Sequence, residues 1–292
     1  MKKIIAAAVA AAFVAPAFAA DVTVTGESEM TYVSTSGSTD SATNADNIVV
    51  VSATEEVDGV TISTSIVMDM DAVYDETSTD GYASGMDGSN MTIETGGLKL
   101  SLGDVSGGMD AVGDYTDVAP AHGGFNLDGS DHAFALALPS MNGLGITVSF
   151  SPEGSGFDGT TADSTGVGVK YAFAGGEVYY GQEEDSADTY SAYGVKYGMN
   201  GVTVAYERGT DTNGTANDEV SVGFALTYKM GDILVGVENQ TKQVDGAAKN
   251  EDETVTFVEY NLGSNVDIYV SNLSNDVAAD SDATTVGVEF AF

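Results

Sequence analysis

The chain has 292 residues, with 45 acidic against nine basic side chains, a formal net charge of −36 and no cysteine. That charge excludes nucleic acid as a partner, because phosphate binding needs clustered Lys and Arg, and the missing cysteines exclude disulfides and thiolate chemistry. High glycine, only four prolines and many Val, Ile, Thr, Tyr and Phe fit an all-β chain with frequent turns; disordered chains are poor in aromatic and β-branched residues.

The chain opens MKKIIAAAVAAAFVAPAFA. Two lysines, an apolar stretch from Ile4 to Val14, and Ala17 and Ala19 in the A-x-A positions predict a secretory signal peptide over residues 1–19, with 20–292 as the mature domain. Its removal takes away Lys2 and Lys3 and none of the acidic residues, so the mature chain is more negative still. No later stretch approaches the roughly 18–20 consecutive apolar residues of a membrane helix. If the protein sits in a membrane, strands must put it there.

From residue 21 onward the sequence alternates apolar with polar or small residues, the period of a β-strand. The pattern predicts sixteen strands, at 21–35, 46–57, 59–71, 89–96, 97–103, 131–139, 143–151, 163–174, 176–184, 188–198, 201–209, 217–230, 231–243, 250–262, 264–275 and 283–292. The runs at 46–57 and 250–262 have an ambiguous facing. A tight turn follows every even-numbered strand, as at Val57-Asp58-Gly59, Gly96-Gly97 and Asn200-Gly201. Most odd-numbered strands lead into longer polar loops, the largest being Asp104–Ser130. Short turns at one end and long loops at the other describe an antiparallel up-and-down meander of the outer-membrane kind.

The two faces differ in kind. Over 217–230 one face reads Val220, Val222, Phe224, Leu226, Tyr228 and the other Ser221, Gly223, Ala225, Thr227, Lys229. The second is small and polar throughout, as the wall of a wet lumen would be. Tyr171, Phe173, Tyr197 and Tyr228 share parity with the apolar face near the short turns and read as interfacial girdle residues. The chain ends on GVEFAF, inside a strand; closing that strand onto 21–35 removes both free sheet edges and turns Phe290 and Phe292 outward.

With these features the sequence resembles the general porins of Gram-negative outer membranes, the small alphaproteobacterial porins above all. The signal peptide, the sixteen strands, the VTVTGESEMTY opening strand, the long loop after LKLSLGD and the terminal GVEFAF carry the resemblance, which covers the whole mature chain. It implies a transmembrane β-barrel that assembles as a homotrimer in outer-membrane lipid and passes small hydrophilic solutes and ions by diffusion, without a cofactor. It also implies that the third external loop folds inward to constrict the channel. Here that loop carries Asp104, Asp110, Asp114, Asp117 and Asp128 and no Lys or Arg.

The family usually opposes such a loop with an arginine cluster, and this sequence departs from that pattern: Arg208 is its single arginine. Strand parity turns Lys99, Lys170, Lys196 and Lys229 to the lumen, all in its periplasmic half. A mouth and lumen of one sign concentrates counter-ions, so cation preference is expected. Adaptation to salt is the competing account of the charge, since screening makes a dense negative surface tolerable.

External carboxylates are crowded at Asp75, Glu76, Asp80 and Asp87, at Glu183, Glu184, Asp185 and Asp188, at Glu251, Asp252 and Glu253, and at Asp276, Asp280 and Asp282. Such groups suit a structural Ca²⁺. A second reading is therefore a secreted acidic β-rich surface-layer protein bridged by Ca²⁺. Enzymatic activity is not expected, because His122 and His132 are the only histidines and no nucleophile motif accompanies them.

Overall fold

The structure, a computed structural model, describes residues 20–36, 41–69, 88–120, 122, 131–152, 163–185, 188–212, 218–247, 250–276 and 282–292. The signal peptide expected over 1–19, Asp128, and the external carboxylates Asp75, Glu76, Asp80, Asp87 and Asp280 lie outside the described residues.

Sixteen strands make up the fold: β1 (Asp21–Thr35), β2 (Ser41–Val57), β3 (Val60–Asp69), β4 (Gly88–Thr95), β5 (Leu98–Ser106), β6 (Asp131–Ala137), β7 (Leu144–Ser151), β8 (Ser164–Phe173), β9 (Gly176–Asp185), β10 (Asp188–Met199), β11 (Val202–Thr212), β12 (Glu219–Met230), β13 (Ile233–Val244), β14 (Glu251–Gly263), β15 (Val266–Asn275) and β16 (Ala283–Ala291). Each pairs antiparallel with its sequence neighbours, and β1 pairs with β16, so the sheet is a closed barrel. Among the described residues there is no helix.

Turn chemistry sets the hairpins at one end. Asp58-Gly59, Asn142-Gly143 and Asn200-Gly201 each hold two successive positive φ angles, the two-residue turn whose twist matches antiparallel strands and which Asn-Gly and Asp-Gly adopt most readily. At the seam the register runs Glu27 to Ala291 through Thr35 to Ala283. Phe292 then exchanges two 2.9 Å backbone hydrogen bonds with Gly26. The final residue thus extends the ladder, and its ring stacks on Phe290 at 6.0 Å between centroids.

Three strands run well past the sequence expectation. β2 begins at Ser41 rather than 46, β5 runs to Ser106 rather than 103 and so takes in Asp104, and β11 runs to Thr212 rather than 209. The extensions of β2 and β11 are polar or alanine on both faces, so no hydrophobic alternation marks them. Their partners hold them instead, Ser34 opposite Ser41 and Thr189 opposite Thr212. The facing of β2 is settled by register: Val51 lies opposite both Val24 and Ile66, on the apolar face.

That face is the outer one. Side chains splay apart on the convex side of a closed sheet and converge on its concave side. Tyr180, Tyr193, Tyr206 and Phe224 form one exposed row, and Tyr171, Phe173, Tyr197 and Tyr228 a second, nearer the short turns. On the opposite face Tyr269 of β15 reaches past Gly287 of β16 to donate a hydrogen bond to Glu29 of β1. Such reach across a strand requires convergence, so this face is concave. The buried apolar clusters also lie on it, Met109, Val112 and Tyr115 packing with Tyr179, Ala192, Ala205 and Ala225, and Ala119 with Val255 and Phe257.

Candidate functional site

The chain between β5 and β6 lies along this inner face. It leaves the wall at a one-turn knot, where Ala111 N–H donates to Gly107 O at 2.9 Å and Val112 N–H to Met109 O at 3.1 Å. Residues 107–120 then cross eight successive strands, from β7 to β14. Gly108 N–H donates to Ser149 Oγ of β7 at 2.7 Å, and its backbone sits on Gly166 and Gly168 of β8 so closely that neither could carry a Cβ without displacing it. Tyr115 makes an edge contact with Tyr179 of β9 at 4.9 Å between centroids and donates its hydroxyl proton to Glu177.

Farther along, two wall carboxylates seize the backbone. Glu207 of β11, fully buried, accepts from Thr116 N–H at 2.7 Å, from Thr116 Oγ1 at 2.7 Å and from Tyr179 Oη at 2.6 Å. Glu238 of β13, 1 % exposed, accepts from Val118 N–H at 3.0 Å and Ala119 N–H at 3.2 Å. Gln240 donates to its other oxygen at 2.7 Å and fixes its rotamer. A loop running across a barrel has no ladder to satisfy its amides, and a buried unpaired amide is costly. Carboxylates accept such bonds with about twice the strength of neutral groups. Small inner neighbours make the approach possible: Glu207 sits between Ala205 and Gly209, and Glu238 follows Gly236.

The sequence-derived acids divide by exposure. Asp114 and Asp117 are exposed to the lumen, Asp110 is half-buried, and Asp104 sits at the end of β5. Asp114 occupies the left-handed region at φ 70°, which Asp tolerates better than most residues. The four lysines share the inner parity. Lys99 and Asp104 line a cavity of about 550 Å³ left open between the crossing segment and β3–β7, together with Asn90, Thr92, Ser101 and Thr147. Lys170 lines a neighbouring space with Ala111 and Glu177. Lys196 reaches the segment itself, its Nζ 4.0 Å from the Tyr115 ring centre and 3.6 Å from Glu177. Lys229 lies apart, near the short turns, beside Glu259 and Asp267. Arg208 is turned to the outer face and donates to Thr210 at 3.4 Å.

Sequence reasoning missed the wall acids Glu177, Glu207 and Glu238, and it took Glu183 and Glu253 for external carboxylates, whereas both stand in strands on the inner parity, Glu183 in β9 and Glu253 in β14. Glu177, Glu183, Glu207 and Glu238 all stand on the inner parity of their strands, Glu183 being 1 % exposed. For Glu207 and Glu238 the signal was available: an acid at mid-strand on the small-residue face, next to Ala or Gly on that face. Burial and the Glu177 carboxylate beside it hold the Tyr115 phenol above its ordinary value, so it stays a proton donor. His132 is buried at the start of β6 beside Gly166, while His122 lies against β13 and β14. Among the described residues no three carboxylate or imidazole groups converge on a metal-sized point.

The arrangement is a closed wall with an apolar outside, a polar inside and a strap tied across part of its bore. A family model described as Gram-negative porin matches residues 6–289. A loop-deletion form of OmpT, an outer membrane protein of Vibrio cholerae, superposes with a TM-score of 0.73 at 16 % identity, covering 94 % of this chain and 100 % of its own. A triple mutant of Rhodopseudomonas blastica porin superposes with a TM-score of 0.71 at 18 % identity, covering 93 % and 100 %. At such identities the two likenesses speak for the fold. No curated protein matches the chain. None of these matches supports the surface-layer reading. The chain belongs to the Gram-negative porin family, and as such is an outer-membrane β-barrel channel protein.

Proposed function

We propose that the channel passes small hydrophilic solutes by passive diffusion, that residues 107–120 with His122 form its inward-folded constriction, and that it prefers cations. The observation that carries the preference is the charge of the inner face. Glu27, Glu29, Glu177, Glu183, Glu207, Glu238, Glu253, Glu259, Asp267 and Glu289 share its parity. These ten acids outnumber the five lysines there, two of which are paired with acids, Lys196 with Glu177 at 3.6 Å and Lys242 with Glu219 at 2.5 Å. A bore of one net sign in a low-dielectric wall focuses its field on counter-ions.

The experiment is a reversal potential across a KCl gradient in a planar bilayer. K⁺ should permeate over Cl⁻, and the preference should weaken toward 1 M salt, where the screening length falls to about 3 Å from about 10 Å at 0.1 M. Anion preference at low salt refutes the proposal. A neutral bore at every salt concentration leaves salt adaptation as the reason for the charge.

The same reading takes the mature chain to begin at Ala20, after cleavage of residues 1–19, and to assemble as a homotrimer in outer-membrane lipid. N-terminal sequencing of the membrane-extracted protein checks the first, and mass measurement of the detergent complex the second. The proposed function requires no cofactor and involves no catalysis. Any Ca²⁺ held by the external carboxylates would be structural, so chelation should lower Tm while leaving conductance unchanged.

A further inference from the structure

His122 stands where the crossing segment meets two neighbouring strands. Its Nδ1 lies 3.5 Å from Glu238 Oε1 of β13, and its Nε2 lies 3.6 Å from Glu253 Oε2 of β14. Its side chain is 11 % exposed. Asp117 of its own segment adds a third negative charge nearby. Glu238 is the carboxylate whose other oxygen holds Val118 and Ala119 by their backbone amides, so the imidazole and the segment backbone share one anchor. Glu253 is held in turn by Asn275 of β15, which donates to its Oε1.

From this geometry we propose that His122 is a pH-operated clasp that fastens the far end of the constriction to β13 and β14. The proposal rests on residues 107–120 with His122 being the constriction. An imidazolium carries an N–H on both ring nitrogens and faces a carboxylate with each. A neutral imidazole carries one N–H, so one of the two carboxylates must face a lone pair. The adjacent Glu238 carboxylate raises the His122 pKa above its ordinary value, and the Glu253 and Asp117 charges add to this against the opposing effect of burial. A raised folded-state pKa means that the clasp's contribution is complete below the unperturbed value of about 6.5 and is lost as pH rises through the folded value. The clasp is closed at mildly acid pH and loosens on the alkaline side.

Two readouts on the full chain in detergent or bilayer test this. Imidazole nitrogen NMR resolves the two histidines, with H122Q assigning them. His122 should titrate above 6.5, and E253Q should move its midpoint down. In single-channel recordings wild-type open-channel current variance should rise at least twofold from pH 6 to pH 9, whereas H122Q should show the high variance at both. A His122 midpoint at or below 6.5, or equal pH dependence in wild type and H122Q, overturns the clasp. Should H122Q fail to fold, E253Q keeps His122 and must show an earlier onset of the variance, and its absence also overturns the clasp. A barrel that conducts at no pH defeats the channel reading instead, and the NMR titration still decides on the clasp.

Discussion

Replacing Glu207 by Ala should free the middle of the crossing segment while leaving the barrel intact. The carboxylate accepts three hydrogen bonds, two from Thr116 and one from Tyr179. Bonds to a charged acceptor contribute about 1.5–3 kcal/mol each. Because the bore is wet, water can take over part of that satisfaction, so about 2–4 kcal/mol of local stability is the expected loss. At about 1.4 kcal/mol per tenfold change, the segment should open some tens to several hundred times more often. Hydrogen exchange at the Thr116 amide reads this directly, and open-channel current noise should increase with it. Tm of the barrel should barely move, because the backbone pairs of residue 207 with Gly194 and Gly223 survive the substitution. E207Q should fall between the two, keeping one carbonyl acceptor. Unchanged protection of Thr116 in E207A would refute the assignment of Glu207 as the anchor.

Two further outcomes follow from the same wall. Gly194→Val places a branched side chain inside the contact distance of the Tyr179 ring. Overpacking of this kind costs about 1–3 kcal/mol and should push Tyr179 off Glu207, so the segment should become more sensitive to limited proteolysis; undiminished resistance counts against the packing argument. Lys196→Met removes a cation held over the Tyr115 ring and beside Glu177, an interaction of roughly 0.5–2 kcal/mol. K⁺ preference should therefore rise in the reversal potential, and a fall or no change would show that this lysine does not sense the permeating ions.

What the sequence by itself determined was the wall. Period-two alternation marked sixteen strands, and Asp-Gly and Asn-Gly pairs at φ values that other residues resist marked the hairpin end. Parity separated Val220 and Phe224 from Ser221 and Gly223, and the terminal GVEFAF announced a closing strand, which pairs with β1 through Phe290 and Ser28. These are local properties, since each depends on residues within a hairpin's length. Where both faces were polar, as at the start of β2, the local signal fell silent and the partner strand decided.

Tertiary structure alone decided how the crossing segment is fastened. Thr116 meets Glu207 across 91 positions, Val118 meets Glu238 across 120, and Tyr269 meets Glu29 across 240. No periodicity links such residues, because their proximity comes from curvature that brings the inner ends of distant strands together. The same curvature gave the mid-strand acids a use that their spacing did not reveal: anchoring backbone amides that have no ladder of their own. A flat sheet with this sequence would keep every strand and lose every one of those contacts.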